Sequence, residues 1–156
     1  MSRTHPRVTD SKPSWVVNTS IHIDAPAQHV WNVMTDVERW PEWTASVLKV
    51  RRLDSGALGV GSRARVRQPK FLPAVWEVIQ IQPGRSFTWV TRSPGLLVTG
   101  SHAVQRSGTG SLAKLSVAYG GLLAGVVARL LGATTHRLLS LEANGLKKRS
   151  EGSTRP

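Results

Sequence analysis

The sequence predicts an α+β domain: one strand, two short helices, six further strands and one long terminal helix. Three observations predict it. Apolar and polar residues alternate over Trp15–Ile23. From Val47 to Tyr119, short extended runs are separated by turn signals, and the connections are too short for parallel crossovers. From Gly121 onward, apolar residues recur at helical spacing instead.

The first strand puts Val17, Ile21 and Ile23 on one face and Asn18, Ser20 and His22 on the other, the pattern of a half-buried strand. Asp24-Ala25-Pro26 closes it, because proline suits a helix's first turn. Val30, Trp31 and Met34 then recur at helical spacing, so residues 26–35 read as a short helix. Asp36 is placed to cap a second helical turn, and Pro41 in Trp40-Pro41-Glu42-Trp43 keeps that turn short. Extended runs follow at Val47–Leu53, Ser62–Gln68, Ala74–Gln82, Ser86–Arg92, Leu97–Arg106 and Ser111–Tyr119. Asp54-Ser55-Gly56, Pro83-Gly84, Ser93-Pro94-Gly95 and Ser107–Gly110 supply turns between them. This order reads as an antiparallel meander. On the last helix, Leu123, Val127, Leu131, Thr134, Leu138 and Leu141 fall within about 60° of one line. Arg129, His136, Ser140 and Lys147 lie opposite.

The chain of 156 residues is the size of one domain. Residues 1–14 read as a flexible N-terminal tail, 15–149 as the domain and 150–156 as a C-terminal tail. The formal net charge is +12. The N-terminal tail carries Arg3, Arg7 and Lys12 against Asp10, and the C-terminal end carries Lys147, Lys148, Arg149 and Arg155 against Glu151. The rest is scattered along the chain, which reads as a solvated basic surface. A nucleic-acid module needs a contiguous basic face with exposed aromatics, and scattered charge gives no strong signal for one. Cysteine is absent, which excludes disulfides and thiol chemistry and fits a reducing, cytoplasmic setting. Residues 1–14 have no apolar stretch of the secretory kind. The most apolar window, Gly120–Leu141, is interrupted by Arg129, His136 and Arg137, so no transmembrane segment is expected.

Several short motifs, in order, carry a resemblance. Ile23-Asp24-Ala25-Pro26 leads to Val30-Trp31, and Asp36 precedes Trp40-Pro41-Glu42-Trp43. Gly61-Ser62-Arg63, Pro73–Val78, Phe87-Thr88-Trp89, Ser93-Pro94-Gly95 and Glu142–Lys147 follow. Over about residues 15–150 this set resembles the SRPBCC superfamily. That superfamily is often labelled polyketide cyclase/dehydrase and lipid transport, and is related to START domains and to the birch pollen allergen. The resemblance implies a helix-grip fold: a seven-stranded antiparallel sheet wrapped around the C-terminal helix. The short helices and strand loops would form the mouth of an internal cavity. It further implies an apolar small-molecule ligand, lipid or polyketide-like, and in some relatives cyclisation or dehydration of it.

A cavity between a curled sheet and a helix is mostly apolar, with a few polar groups that orient a ligand. The expected wall is Trp76, Trp89 and Phe71 with Leu123, Val127, Leu131 and Thr134 of the helix. Trp40 and Trp43 are expected near the mouth, Trp43 as a gate and Trp40 either as part of the lip or as a core plug. His102 sits in mid-sheet and reads either as a structural residue or as a ligand-facing base. Arg63, Arg65 and Arg67 share one strand face. That face is expected outward, since three unpaired cations in a cavity would each need desolvation. Glu77 is expected to pair with an arginine of a neighbouring strand. No histidines have helical metal-ligand spacing, and no phosphate loop or nucleophile elbow occurs, so neither metal nor cofactor is expected. No catalytic constellation is identifiable. An apolar lining would favour a binding or carrier protein, and an inward-facing His102, Glu77 or Tyr119 would favour a cyclase or dehydratase.

Overall fold

A computed structural model describes residues 15–152; the expected tail over 1–14 lies outside them. The elements follow the expected order. Strand β1 is Trp15–Ile23, helix α1 is Ala27–Thr35, and a short 3-10 helix spans Val37–Glu42. Then come β2 (Lys49–Arg52), β3 (Arg63–Arg67), β4 (Ala74–Gln82), β5 (Ser86–Ser93), β6 (Leu96–Ser107), β7 (Gly110–Gly120) and α2 (Ala124–Gly152). All seven strands form one antiparallel sheet in the order β1-β7-β6-β5-β4-β3-β2. Only β1 has left the meander, returning beside β7. A register shift between Val78 and Gln80 bends β4, the usual way a strand curls a sheet.

The curled sheet grips α2 unevenly. The helix packs on β1 and β7, with α1 beside it. The concave faces of β3 to β6 are therefore left facing space. The core gathers at the closed end, where Val30, Trp31 and Met34 of α1 meet Ile23, Phe87, Leu115, Leu139 and Leu146. Trp40 is buried there, and its Nε1–H donates to the Met34 carbonyl at 3.0 Å. A buried indole is thus satisfied.

Two expectations about α2 are corrected. Its buried side chains are Ala124, Ala128, Thr135, Leu138, Leu139, Glu142, Ala143, Gly145, Leu146 and Ser150. This face is turned by about 90° from the leucine stripe, roughly one residue. Small residues decide it, because alanine and glycine let a helix backbone approach the sheet and the segment after the 3-10 helix. At Gly145 even a methyl group would lie 2.2 Å from the Trp43 carbonyl oxygen. Leu123 precedes the helix and is half exposed, and Leu141 also reaches solvent. The helix also runs past 149. Ser150 is fully buried, and Glu151 accepts hydrogen bonds from the Asp24 backbone N–H and Lys147 Nζ. Ser150–Gly152 therefore belong to the domain rather than to a tail.

The arginine expectation holds: Arg63, Arg65 and Arg67 are exposed while Ala64 and Val66 are buried. Register adds what the linear sequence scattered. Lys49 lies opposite Arg67 and Arg51 opposite Arg65, so five cations share the outer face of β2 and β3. Glu77 lies opposite Arg63 on the same outer face, away from the concave side where Trp76 and Val78 point.

Candidate functional site: a cavity with a buried His–Glu pair

A cavity of about 770 Å³ occupies the space between α2 and the concave face of β3 to β6. Its wall is built by strand alternation. Ala74 and Trp76 of β4, Trp89 and Thr91 of β5, Val98 and Gly100 of β6, and Val117 and Tyr119 of β7 all point inward. Val127, Leu131, Thr135, Leu138, Leu139 and Glu142 of α2 close the opposite side. The open end is formed by Lys70, Phe71 and Leu72 of the β3–β4 loop and by Ser93 and Leu96 at the β5–β6 turn. Lys70 holds that loop with φ at 64°, the one non-glycine residue with positive φ among those described.

Aromatic rings make a continuous wall. The Trp76 and Trp89 centroids are 5.4 Å apart, and Trp89 meets Trp40 edge-on at 5.3 Å. Gly100 makes room for this wall. A β-carbon there would sit 2.7 Å from Trp89 Nε1 and 3.4 Å from the Trp76 ring. Only a residue without a side chain lets the indole lie flat against β6.

Beyond this aromatic wall the lining turns polar. Glu142 projects from α2 and joins His102 of β6 through a 2.7 Å hydrogen bond between Oε1 and Nε2. Both side chains are nearly fully buried, His102 at 6% and Glu142 at 9% exposure. The imidazole is clamped flat on Phe87, with centroids 4.6 Å apart and planes 6° from parallel, and Trp40 lies 5.1 Å away. Nδ1 of His102 is buried without a protein partner. An acid and an imidazole inside an apolar wall cost desolvation that only their mutual bond offsets. A carboxyl group at a cavity surface, oriented by a second titratable group, is a common acid–base or recognition element. A second polar contact lies on the same wall, where Tyr119 Oη and Thr135 Oγ1 are hydrogen-bonded.

Burial pushes the Tyr119 hydroxyl above its ordinary value, and the Thr135 hydrogen bond opposes this only in part. The ordinary value is about 10, so in the unfolded chain the phenol ionises first as pH rises. The unfolded state then binds fewer protons than the native one, and stability falls. Stability is thus expected to be full below about pH 10 and to decline above it as pH climbs toward the folded value. Tyr119→Phe should flatten that decline. The chain has one tyrosine, so phenolate absorbance reports this group alone. An absorbance midpoint at the free-tyrosine value would contradict the burial.

The structure brings six of the ten expected site residues to the cavity: the wall residues Phe71, Trp76, Trp89, Val127 and Leu131, and Trp40, which was expected at the mouth. Trp40 is also the core plug. Four others do not line it. Leu123 lies against the Gly95 turn, with its Cγ 3.0 Å from the position a β-carbon would take there. Thr134 is replaced by Thr135, as the turned helix requires. Trp43 packs over Trp40, centroids 5.8 Å apart, with its carbonyl under Gly145, and so is not a gate. His102 faces inward but stands behind Glu142, touching the cavity through it. Glu142 and Thr135 were missed. Glu142 carried one signal, an acid flanked by Leu139, Ala143 and Leu146 on what proves the buried face. Among the described residues no group of three or more His, Asp or Glu could hold a metal ion, and no helix is long and apolar enough to cross a membrane.

The family model for polyketide cyclase / dehydrase and lipid transport proteins matches residues 14–151. The chain belongs to that family. Solved structures agree in fold. A Streptomyces aromatase/cyclase shares 18% identity over 90% of this chain and 96% of its own, with a TM-score of 0.73. The major latex-like protein of Panax ginseng shares 14% over 87% and 97%, with a TM-score of 0.72. A START superfamily protein of Mycobacterium smegmatis shares 18% over 89% and 99%, with a TM-score of 0.68. No protein with a curated description matches the sequence. For this family member the helix-grip architecture expected above is therefore the observed one.

Proposed function

We propose that the protein binds and carries an apolar small molecule, lipid or polyketide-like, whose hydrogen-bonding end reaches Glu142. The observation that carries this reading is the composition of the cavity: indole and aliphatic walls with a buried acid set among them. Apolar walls supply affinity by burial, while one buried polar group fixes orientation. Flat aromatic surface at Trp76 and Trp89 favours a ligand with rings or conjugated carbonyls. A sequence without cysteine fits a reducing, cytoplasmic site of action.

A second reading is favoured by the His102–Glu142 pair. In a cyclisation–dehydration, a base removes a proton from carbon next to a carbonyl, and the departing hydroxyl leaves as water after accepting a proton. Glu142, held by His102, is placed to take and return that proton. The Streptomyces relative's description as an aromatase/cyclase supports this alternative, though fold alone does not fix activity.

The test is saturable quenching of Trp emission by a panel of fatty acids and hydroxylated polycyclic aromatics, followed by mass analysis of the recovered ligand. Gly100→Ala should weaken binding roughly tenfold, because its methyl group displaces the Trp89 ring from the wall. Recovery of the ligand unchanged favours the carrier, and recovery with loss of water favours the enzyme. No saturable quenching by any compound would sink both.

A further inference from the structure

We infer that the open end of the cavity is a docking surface for an anionic lipid bilayer. Three segments form this end: residues 68–73 between β3 and β4, residues 92–97 around the β5–β6 turn, and residues 121–130 leading into α2. They are tied together structurally. The Leu123 backbone N–H donates to the Gly95 carbonyl at 2.9 Å, and Leu97 lies opposite Gly120 in the sheet. Leu72 and Leu96 line the same cavity as Val127 and Leu131.

Large apolar side chains point into solvent here. Leu122 is 96% exposed, Leu72 88%, Leu130 74% and Val126 60%. Leu122 stands in the turn just before α2, and Val126 and Leu130 lie one turn apart on the outer side of its start. The turned face of α2 leaves them there, because Ala124 and Ala128 take the buried side. Exposed leucines singly are ordinary, but a cluster around a cavity mouth marks an interaction surface.

Charge selects the occupant. The three segments contain Lys70, Arg92 and Arg129 and no acidic residue. The eight acidic side chains among the described residues lie elsewhere: Asp24, Asp36, Glu38, Glu42, Asp54 and Glu77 on the other end or the outer face, Glu142 inside, and Glu151 at the helix C-terminus. Arg67 of β3 runs directly into the 68–73 loop with Lys49 opposite it, which carries the basic field up to the rim. A second copy docked through the same patch would set these cations against their own counterparts. A bilayer with anionic head groups offers both matching chemistries at once: hydrocarbon for the leucines and negative charge for the lysine and arginines. This inference stands on exposure and charge and not on what the cavity holds. Ligand exchange with the bilayer would rest in addition on the function proposed above.

The test is co-sedimentation of the full chain, without added ligand, with vesicles of phosphatidylcholine alone or mixed with phosphatidylserine. Binding is expected for the mixed vesicles, weakening as salt is raised. Leu122→Ser with Leu130→Ser should lower partitioning at least about tenfold. Arg129→Gln should lower it about fivefold. The circular dichroism of each variant should match the parent, since these side chains are exposed. The inference is overturned if the chain ignores mixed vesicles or binds both kinds equally. Loss only on replacing Arg51 and Arg65, which would place contact on the sheet face, overturns it too. A concentration-dependent dimer that Leu122→Ser with Leu130→Ser abolishes also overturns it, because the leucines would then cover one another.

Discussion

Replacing Trp40 by alanine is expected to lower stability by about 3–5 kcal/mol. For a domain of this size that corresponds to a fall in Tm on the order of 10 °C. Trp40 is 2% exposed and touches Trp43, Trp89 and His102, so truncation empties the junction between the 3-10 helix, β5 and β6. The loss has two parts: transfer of the indole to water, and the void left because three rings cannot collapse into it together. Trp40→Phe separates a third contribution. It keeps most of the packing but leaves the Met34 carbonyl without its donor, a cost of about 1–3 kcal/mol. Urea titrations with an unchanged slope measure both. A midpoint for Trp40→Ala matching the parent would mean that Trp40 is not the plug of this core.

How much of this was legible in the sequence depended on period. Strand faces were legible because a period of two is unambiguous: Val17, Ile21 and Ile23 point inward, and Arg63, Arg65 and Arg67 point out, as alternation alone required. The helix face was not, because α2 has two candidate stripes. One is rich in leucine and the other in alanine and glycine. Hydrophobicity ranks the leucine stripe higher, but distance of approach decides, and Gly145 against the Trp43 carbonyl leaves no space for bulk. Of the displaced leucines, Leu131 and Leu138 then line the cavity, while Leu123 and Leu141 reach solvent. Trp43 failed as a gate for the same reason, since its backbone is fastened beneath α2. Long-range pairing was also out of reach. His102 and Glu142 are forty positions apart, and nothing local in either element signals the other. The five-cation face of β2 and β3 likewise exists only through register, because Lys49 and Arg67 meet across a turn of unpredictable length.

Glu142→Ala is expected to cost stability and ligand orientation together. Removing the carboxylate leaves the His102 imidazole buried with neither ring nitrogen bonded, since Nδ1 already has no protein partner. Leaving a buried polar ring without its hydrogen bond in this way costs about 1–3 kcal/mol. Glu142→Gln is the informative companion. Its amide oxygen can still accept from Nε2–H at the same distance, so the orphaned imidazole and most of the stability loss are avoided. The ability to accept strongly from a ligand hydroxyl, or to take a proton, is lost. Affinity for a hydroxylated ring compound should therefore fall about 10–100-fold in Glu142→Gln, the worth of one hydrogen bond to a charged group. The analogue without the hydroxyl should bind parent and variant alike. If the reaction reading holds, turnover by Glu142→Gln disappears while binding of the analogue persists. Equal affinities for both compounds in both proteins, with stability also unchanged in Glu142→Ala, would show that the pair neither reads a ligand nor holds the fold.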